Sequence, residues 1–250
     1  MWKKSIHAFK ILPNNRLEKE VQRIVTPFNV ILTAVCSPKF RIRNGYITPS
    51  SKKIHILLFF GITACNVWSC YGITKSQNEY TTTSIVSYFF SLTIFFYYID
   101  FILFTSCNVL HSRRQVSLIL KIQELYRNID ITKKVKNYII WTWIWFLATF
   151  SVFLVNFLSF LMNLDRIFFI HLSTYFANLQ FDLNFIYSVR IMTLLVIYLK
   201  EWTKSVVDLN EEEQNKEYFV KKFKTYQNIL RAFKIFTLCF KDIVSTSSYI

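Results

Sequence analysis

Residues 137–164 read NYIIWTWIWFLATFSVFLVNFLSFLMNL, 28 positions without a charged side chain. A helix rises about 1.5 Å per residue, so about 20 apolar residues cross the roughly 30 Å of bilayer hydrocarbon. Trp141, Trp143 and Trp145 gather at one end of the run, where indole rings suit a membrane–water boundary. Three further apolar stretches flank it: Ile54 to Thr74, Ser84 to Cys107, and Ile167 to about Leu199. Only Asp165 and Arg166 separate the quoted run from the last of these, which predicts a tight helical hairpin. The fold class expected is all-α: a polytopic transmembrane bundle with four spans, at about 54–74, 84–107, 138–164 and 167–189. The chain holds 26 Phe and 3 Gly in 250 residues, which weighs against a soluble domain of this size.

The net charge of +15 invites a nucleic-acid partner, but its distribution argues for a membrane instead. Residues 1–53 carry 11 Lys/Arg against 2 acids, and residues 108–137 carry 7 against 2. Residues 188–250 carry 10 against 7, whereas the short loops between these segments are neutral. Excess positive charge on alternate loops marks the cytosolic side, so the N-terminus, the second loop and the C-terminal segment are predicted to be cytosolic. Attraction to anionic membrane lipid at that surface follows, worth about 1 kcal/mol per basic residue. The start, MWKKSIHAFKILPNNRLEKE, has no apolar core or cleavage site, so no signal peptide is predicted. Cys36, Cys65, Cys70, Cys107 and Cys239 lack metal-ligand spacing with His and read as free thiols. No Asn-x-Ser/Thr sequence occurs.

Three segments follow: an N-terminal arm (1–53), a four-helix transmembrane region (54–199) and an amphipathic cytosolic segment (200–250). In the arm, Val21, Ile24, Val25, Phe28, Ile31 and Leu32 recur at helical spacing, interrupted by Pro27. Pro38, Asn44-Gly45 and Pro49 predict turns before the first span. The fourth stretch spans 33 residues. That is roughly 50 Å as a helix, too long for one crossing, so it should tilt or continue into the cytosol to about residue 199. After the acidic break DLNEEEQNKE, Phe219, Phe223, Tyr226, Ile229, Leu230, Phe233 and Phe236 form a stripe that wants a partner.

No loop carries a catalytic motif. Three glycines exclude a Gly-rich phosphate loop, and there is no P-loop, Gly-x-Ser-x-Gly or His-Glu-x-x-His. His171 with an aspartate leaves acyltransferase-like chemistry open, but the sequence predicts a non-enzyme with no cofactor and no metal. The informative polar residues lie inside the spans, where they are costly. His171, Tyr175, Asn178 and Asp182 share one face of the fourth helix; Thr149, Asn156, Ser159 and Asn163 share one face of the third. Thr93, Tyr97 and Asp100 do the same on the second. Turned inward, these stripes build an outward-opening pocket with Thr93, Tyr97, Asn156, Ser159, Asn163, His171, Tyr175 and Asn178 as ligand-binding candidates. Interhelical glue is the plainer role for each residue taken singly. Asp100 and Asp182 fall at similar depth, about 8–10 Å above the inner boundary. With Arg190 as a possible partner they form a predicted inner polar cluster.

Three stretches carry a family resemblance: VQRIVTPFNVILTAVCSPKFRIRNGYITPS (21–50), FANLQFDLNFIYSVRIMTLLVIYLKEW (176–202) and YQNILRAFKIFTLCF (226–240). In this order they are similar to the insect gustatory receptors, especially the divergent lepidopteran-type members. The match includes Gln180-Phe181 and the later Arg190 in span four. The resemblance implies a seven-span chemoreceptor in the plasma membrane of sensory neurons, opened as a ligand-gated cation channel by a small-molecule tastant. It also implies a tetramer, homo- or hetero-oligomeric, joined through cytosolic helices. An odorant receptor shares this topology; a transporter-like or accessory membrane protein is a different class. The family's terminal Thr-Tyr and Gln-Phe signature has no match here, and residues 200–250 lead toward a fifth span. The expectation is therefore a sensor half truncated before its pore.

Overall fold

The computed structural model describes residues 15–35, 37–51, 84–162, 168–207 and 216–247, with isolated helical positions between 53 and 67. The predicted first span lies largely outside the described residues, as do Asn163 and the acidic break. Helix dominates. In chain order the elements are α1 (Lys19–Ala34), β1 (Phe40–Arg43), β2 (Tyr46–Pro49), α2 (Ser84–Asn128), α3 (Thr132–Met162), α4 (Phe168–Val207) and α5 (Lys216–Ser247).

α1 forms where the apolar spacing places it. Val21, Ile24, Val25, Phe28 and Leu32 are buried, and Glu20 sits in the first turn, where the helix dipole favours an acid. Pro27 lies inside this helix and removes one N–H donor. Burial of its neighbours, at about 1.5–3 kcal/mol per large apolar side chain, offsets that loss. The arm then folds back as a hairpin, with Phe40 opposite Pro49 and Arg43 opposite Tyr46. Its tip is Asn44-Gly45, both at positive φ (53° and 79°), the geometry a two-residue turn needs to match strand twist. Ile47 is buried on one face while Arg41 and Thr48 are exposed on the other.

α2 runs 45 residues without a break. The segment expected as a loop from 108 to 137 is therefore mostly helix, with the chain turning only at 129–131. Its charged residues mask an apolar face of Val116, Ile119, Ile122 and Leu125, all buried. Asp130 then opens α3, accepting bonds from the Thr132 N–H (2.9 Å) and hydroxyl (2.6 Å). α4 runs 40 residues, so the overlong fourth stretch continues as helix past one membrane thickness.

Two helical segments are long and apolar enough to cross a membrane, Thr132–Ser159 and Asn178–Val207. Only 17% of the apolar window is buried in the first and 44% in the second. A soluble core helix of that composition would be mostly covered. Instead α3 exposes Trp141, Trp145, Leu147, Val152, Leu154 and Val155, and among the described side chains it fully buries Val135, Tyr138, Thr142 and Phe146, with Ile139, Phe150 and Phe153 partly buried beside them.

Among the described residues the core gathers where α1 packs on α2, α3 and α4, the hairpin on α2, and α5 on α2 and α4. Phe28 enters it edge-on to Phe146 of α3 (5.8 Å) and Tyr187 of α4 (5.1 Å). Tyr187 also meets Phe240 of α5 at 5.6 Å and donates its hydroxyl to Gln115 of α2 at 2.8 Å. Tyr187 thus joins α4 to three other helices, and Phe28 of the arm adds the fourth through Phe146.

Candidate functional site

The stripe residues are placed unevenly. Thr93, Tyr97 and Asp100 lie on the continuous backbone of α2, and His171 and Tyr175 on α4, but their side chains fall outside the described residues, as does all of Asn163. Asn156 and Ser159 are exposed on α3, and Asn178 and Asp182 are exposed on α4. The buried face of α4 is instead Gln180, Asn184, Tyr187, Ile191, Leu194 and Tyr198. An offset of two residues turns a helix by about 200°, so this face lies opposite Asn178 and Asp182. The described part of α4 therefore does not turn those two inward. Both faces carry polar side chains, so hydrogen-bonding capacity alone could not choose between them. What distinguishes the inward face is its buried apolar run of Tyr187, Ile191, Leu194 and Tyr198, against which Phe28 packs at Tyr187.

Arg190 is buried on that inward face, but its partners are not carboxylates. Its Nε donates to Thr142 Oγ1 (3.0 Å) and its Nη2 to the Tyr138 carbonyl (2.9 Å). The guanidinium carbon lies 4.4 Å from the centre of the Tyr138 ring. In return the Tyr138 hydroxyl donates to the Arg190 carbonyl at 2.8 Å. The fixed charge is thus held by a carbonyl, a hydroxyl and a ring face, each compatible with burial. Asp182 forms no ion pair among the described residues. The expected Asp182–Arg190 partnership is replaced by a clamp between α3 and α4: Asp182 is exposed, whereas Arg190, about two turns further along, is buried against Tyr138 and Thr142.

A second buried polar group gathers where the arm meets the bundle. The Ser37 hydroxyl accepts bonds from Asn108 Nδ2 of α2 (2.9 Å) and Asn184 Nδ2 of α4 (3.0 Å). Lys39, 2% exposed, donates its Nζ to Asn108 Oδ1. Ser112 Oγ donates to the Lys39 carbonyl (3.0 Å) and accepts from the Ser50 N–H (2.9 Å), so one hydroxyl clasps both ends of the hairpin. Asn184 Oδ1 and Thr105 Oγ1 are buried there without a partner atom among the described residues. Desolvation lowers the Lys39 pKa to about 7, and burial pushes the neighbouring Cys239 thiol up to about 12. The junction therefore holds an amine that changes charge near neutrality, inside a contact joining the arm to α2 and α4.

Between α4 and α5, a cleft of about 270 Å³ opens beside the 129–131 turn, lined by Asp130, Glu201, Trp202, Lys204 and Lys222 among others. Its wall is fixed by the Trp202 indole N–H on the Lys222 carbonyl (3.1 Å) and by Trp202 stacked on Tyr226 (4.9 Å). Acids and bases line it in mixture, so no charge selectivity follows. Among the described residues no three His, Cys, Asp or Glu side chains cluster as metal ligands.

Searches of protein-family models, curated proteins and solved structures found no match to this chain. Function must therefore be argued from its own residues. Lys39, Asn108, Ser112 and Asn184 were not legible as a site, since they come from three distant segments. The faint signal was Lys39 itself, the first of three alternating basic residues, with Arg41 and Arg43, just before a turn.

Proposed function

We propose that this chain is a gustatory-type chemoreceptor subunit of the plasma membrane, which binds a small-molecule tastant within its helical bundle and signals through cation flux. In this reading four spans cross the bilayer, and the end holding α1, the hairpin and α5 faces the cytosol. The tastant enters from outside among the candidates on α2, α3 and α4, with Asp100 and Asp182 beneath it. The observation that carries the membrane assignment is the largely uncovered apolar surface of α3, with Trp141 and Trp145 near its packed end. The prolongation of α4 into a helical core also agrees with the long fourth helix of the family that the sequence resembles. The receptor assignment itself rests on that resemblance.

An accessory subunit is the second reading. α5 buries Ile229, Ala232, Phe236 and Cys239 but leaves Phe219, Val220, Phe223 and Leu230 exposed, a face open to another protein. Whole-cell recording separates the two. Tastant-evoked cation currents in cells expressing this chain alone support the receptor. Silence alone, with currents restored on co-expression of a full-length receptor, supports the accessory role. Silence in both, with the chain at the surface, rejects both readings.

A further inference from the structure

The outer side of the seam between α2 and α5 is both basic and apolar. Arg113 and Arg114 are exposed on α2, and Leu110, 74% exposed, lies one turn before them. Spacings of three and four put all three on one helix face. On α5, Lys234, Leu238 and Lys241 are exposed at the same spacings. Arg114 brings the two faces side by side: its Nη1 lies 2.9 Å from His111 Nδ1 and reaches the Leu238 carbonyl at 3.4 Å. The second contact is at the outer limit of a hydrogen bond, which leaves guanidinium donors for a better acceptor. No acid occurs between Asp100 and Glu124 on α2, or between Glu217 and Asp242 on α5. Among the described residues, Arg113, Lys234 and Lys241 form no ion pair. The depth of this patch fits a membrane surface. The second apolar stretch ends at Cys107, and α2 continues through it without a break. Arg113 and Arg114 therefore lie about 9–10 Å beyond the hydrocarbon edge, and Leu110 about 4–5 Å beyond it. With the upward reach of long basic side chains, this is the headgroup layer of the cytosolic leaflet.

We propose that the α2–α5 seam is a binding site for an anionic glycerophospholipid of the cytosolic leaflet, its phosphate among Arg113, Arg114, Lys234 and Lys241 and its acyl chains along Leu110 and Leu238. The arginines offer forked N–H pairs that match phosphate oxygens, and the lysines add point charges. A soluble polyphosphate would use the bases but leave both leucines in water, whereas a lipid covers them as well. A second copy of the chain seated on the same face would set base against base. The lipid ties α2 to α5 through a shared headgroup where the bundle meets the membrane surface. The inference rests on the membrane assignment above; tastant binding and ion flux play no part in it.

The test uses the full chain in phosphatidylcholine nanodiscs that carry a trace of phosphatidylserine with a fluorophore on its acyl chain. Energy transfer from the chain's tryptophans reports binding, and unlabelled compounds compete for the site. Phosphatidylserine and phosphatidylinositol phosphate should compete, and added phosphatidylcholine should not. Soluble inositol phosphate, which lacks the chains, should compete at least about tenfold less well than the lipid. Arg113→Gln with Arg114→Gln should weaken binding by roughly tenfold, a loss that shrinks in high salt. Lys133→Gln with Lys136→Gln removes the same charge from exposed positions on α3 and should change binding by less than about twofold. Equal competition by phosphatidylcholine overturns the proposal. So does an equal loss in the two double variants, which would mean diffuse surface charge only, or a soluble headgroup that competes as well as the lipid. If the arginine variant does not fold, Lys234→Gln with Lys241→Gln decides, and unchanged binding there overturns the site. A chain that never enters membranes fails the membrane assignment; one that inserts but shows no competition fails this site alone.

Discussion

Phe28 stands edge-on to Tyr187, ring centres 5.1 Å apart and planes at 69°. Both rings are fully buried, one brought by the arm and the other by the longest apolar stretch of α4. Edge-to-face pairs add about 0.5–1.5 kcal/mol to what the buried area already contributes. The contact makes the N-terminal arm part of the core rather than an appendage.

Phe28→Ala should therefore destabilise the whole packed end by about 3–5 kcal/mol, with Phe28→Leu costing less. Thermal unfolding of the detergent-solubilised protein, followed by size-exclusion chromatography, measures this. A loss no greater than that of an exposed substitution such as Val30→Ala would show that the arm does not carry the core.

Arg190→Lys should behave as a disruptive change. The planar guanidinium meets the Thr142 hydroxyl, the Tyr138 carbonyl and the Tyr138 ring together, and an ammonium cannot match that set. A loss of about 2–3 kcal/mol is expected, since hydrogen bonds to charged groups are each worth about 1.5–3. Thr142→Val should cost less, and the two changes should be non-additive in a double-mutant cycle.

Ser112→Ala should free both ends of the hairpin at once, for about 1–3 kcal/mol. Gly45→Val should act at the other end, because φ is 79° there and an added Cβ would lie 3.1 Å from Gln22 Nε2. Limited proteolysis reads both: cleavage between the hairpin and the first predicted span should accelerate while cleavage within α4 stays unchanged.

Stability should rise with pH above about 7 because of Lys39. The amine's folded pKa lies below its unfolded value of about 10.4, so between the two the unfolded chain binds the extra proton. Below the folded value both states are protonated and the burial penalty is complete; above the unfolded value it vanishes. Chemical denaturation at several pH values should give this slope, and Lys39→Met should flatten it. Asp130 acts in the same sense at lower pH: its carboxylate is held low by the Thr132 hydroxyl and N–H, so its small contribution fades as acid protonates it.

Some of this was written plainly in the chain. Spacing alone placed α1, the over-length of the fourth stretch called for tilt or continuation, and Asn44-Gly45 marked a tight turn. The continuity of α2 was hidden, because charged residues between Arg113 and Arg127 resemble a solvated loop until a partner covers their apolar side. The late stripe was half legible: Ile229 and Phe236 turn inward, whereas Phe219, Phe223 and Leu230 remain exposed.

The sequence by itself determined what is local: helix, turn, the length of each apolar run and the segments that carry the charge excess. These depend on a residue and neighbours a few positions away. Only the tertiary structure decided which face of α4 points inward, that Arg190 binds Tyr138 and Thr142, and that Lys39 is buried on Asn108. Those outcomes depend on packing between segments tens to more than a hundred residues apart. Hydrogen-bonding capacity leaves the faces of α4 nearly equal, and burial of its apolar stripe, with Phe28 packed on Tyr187, distinguishes them.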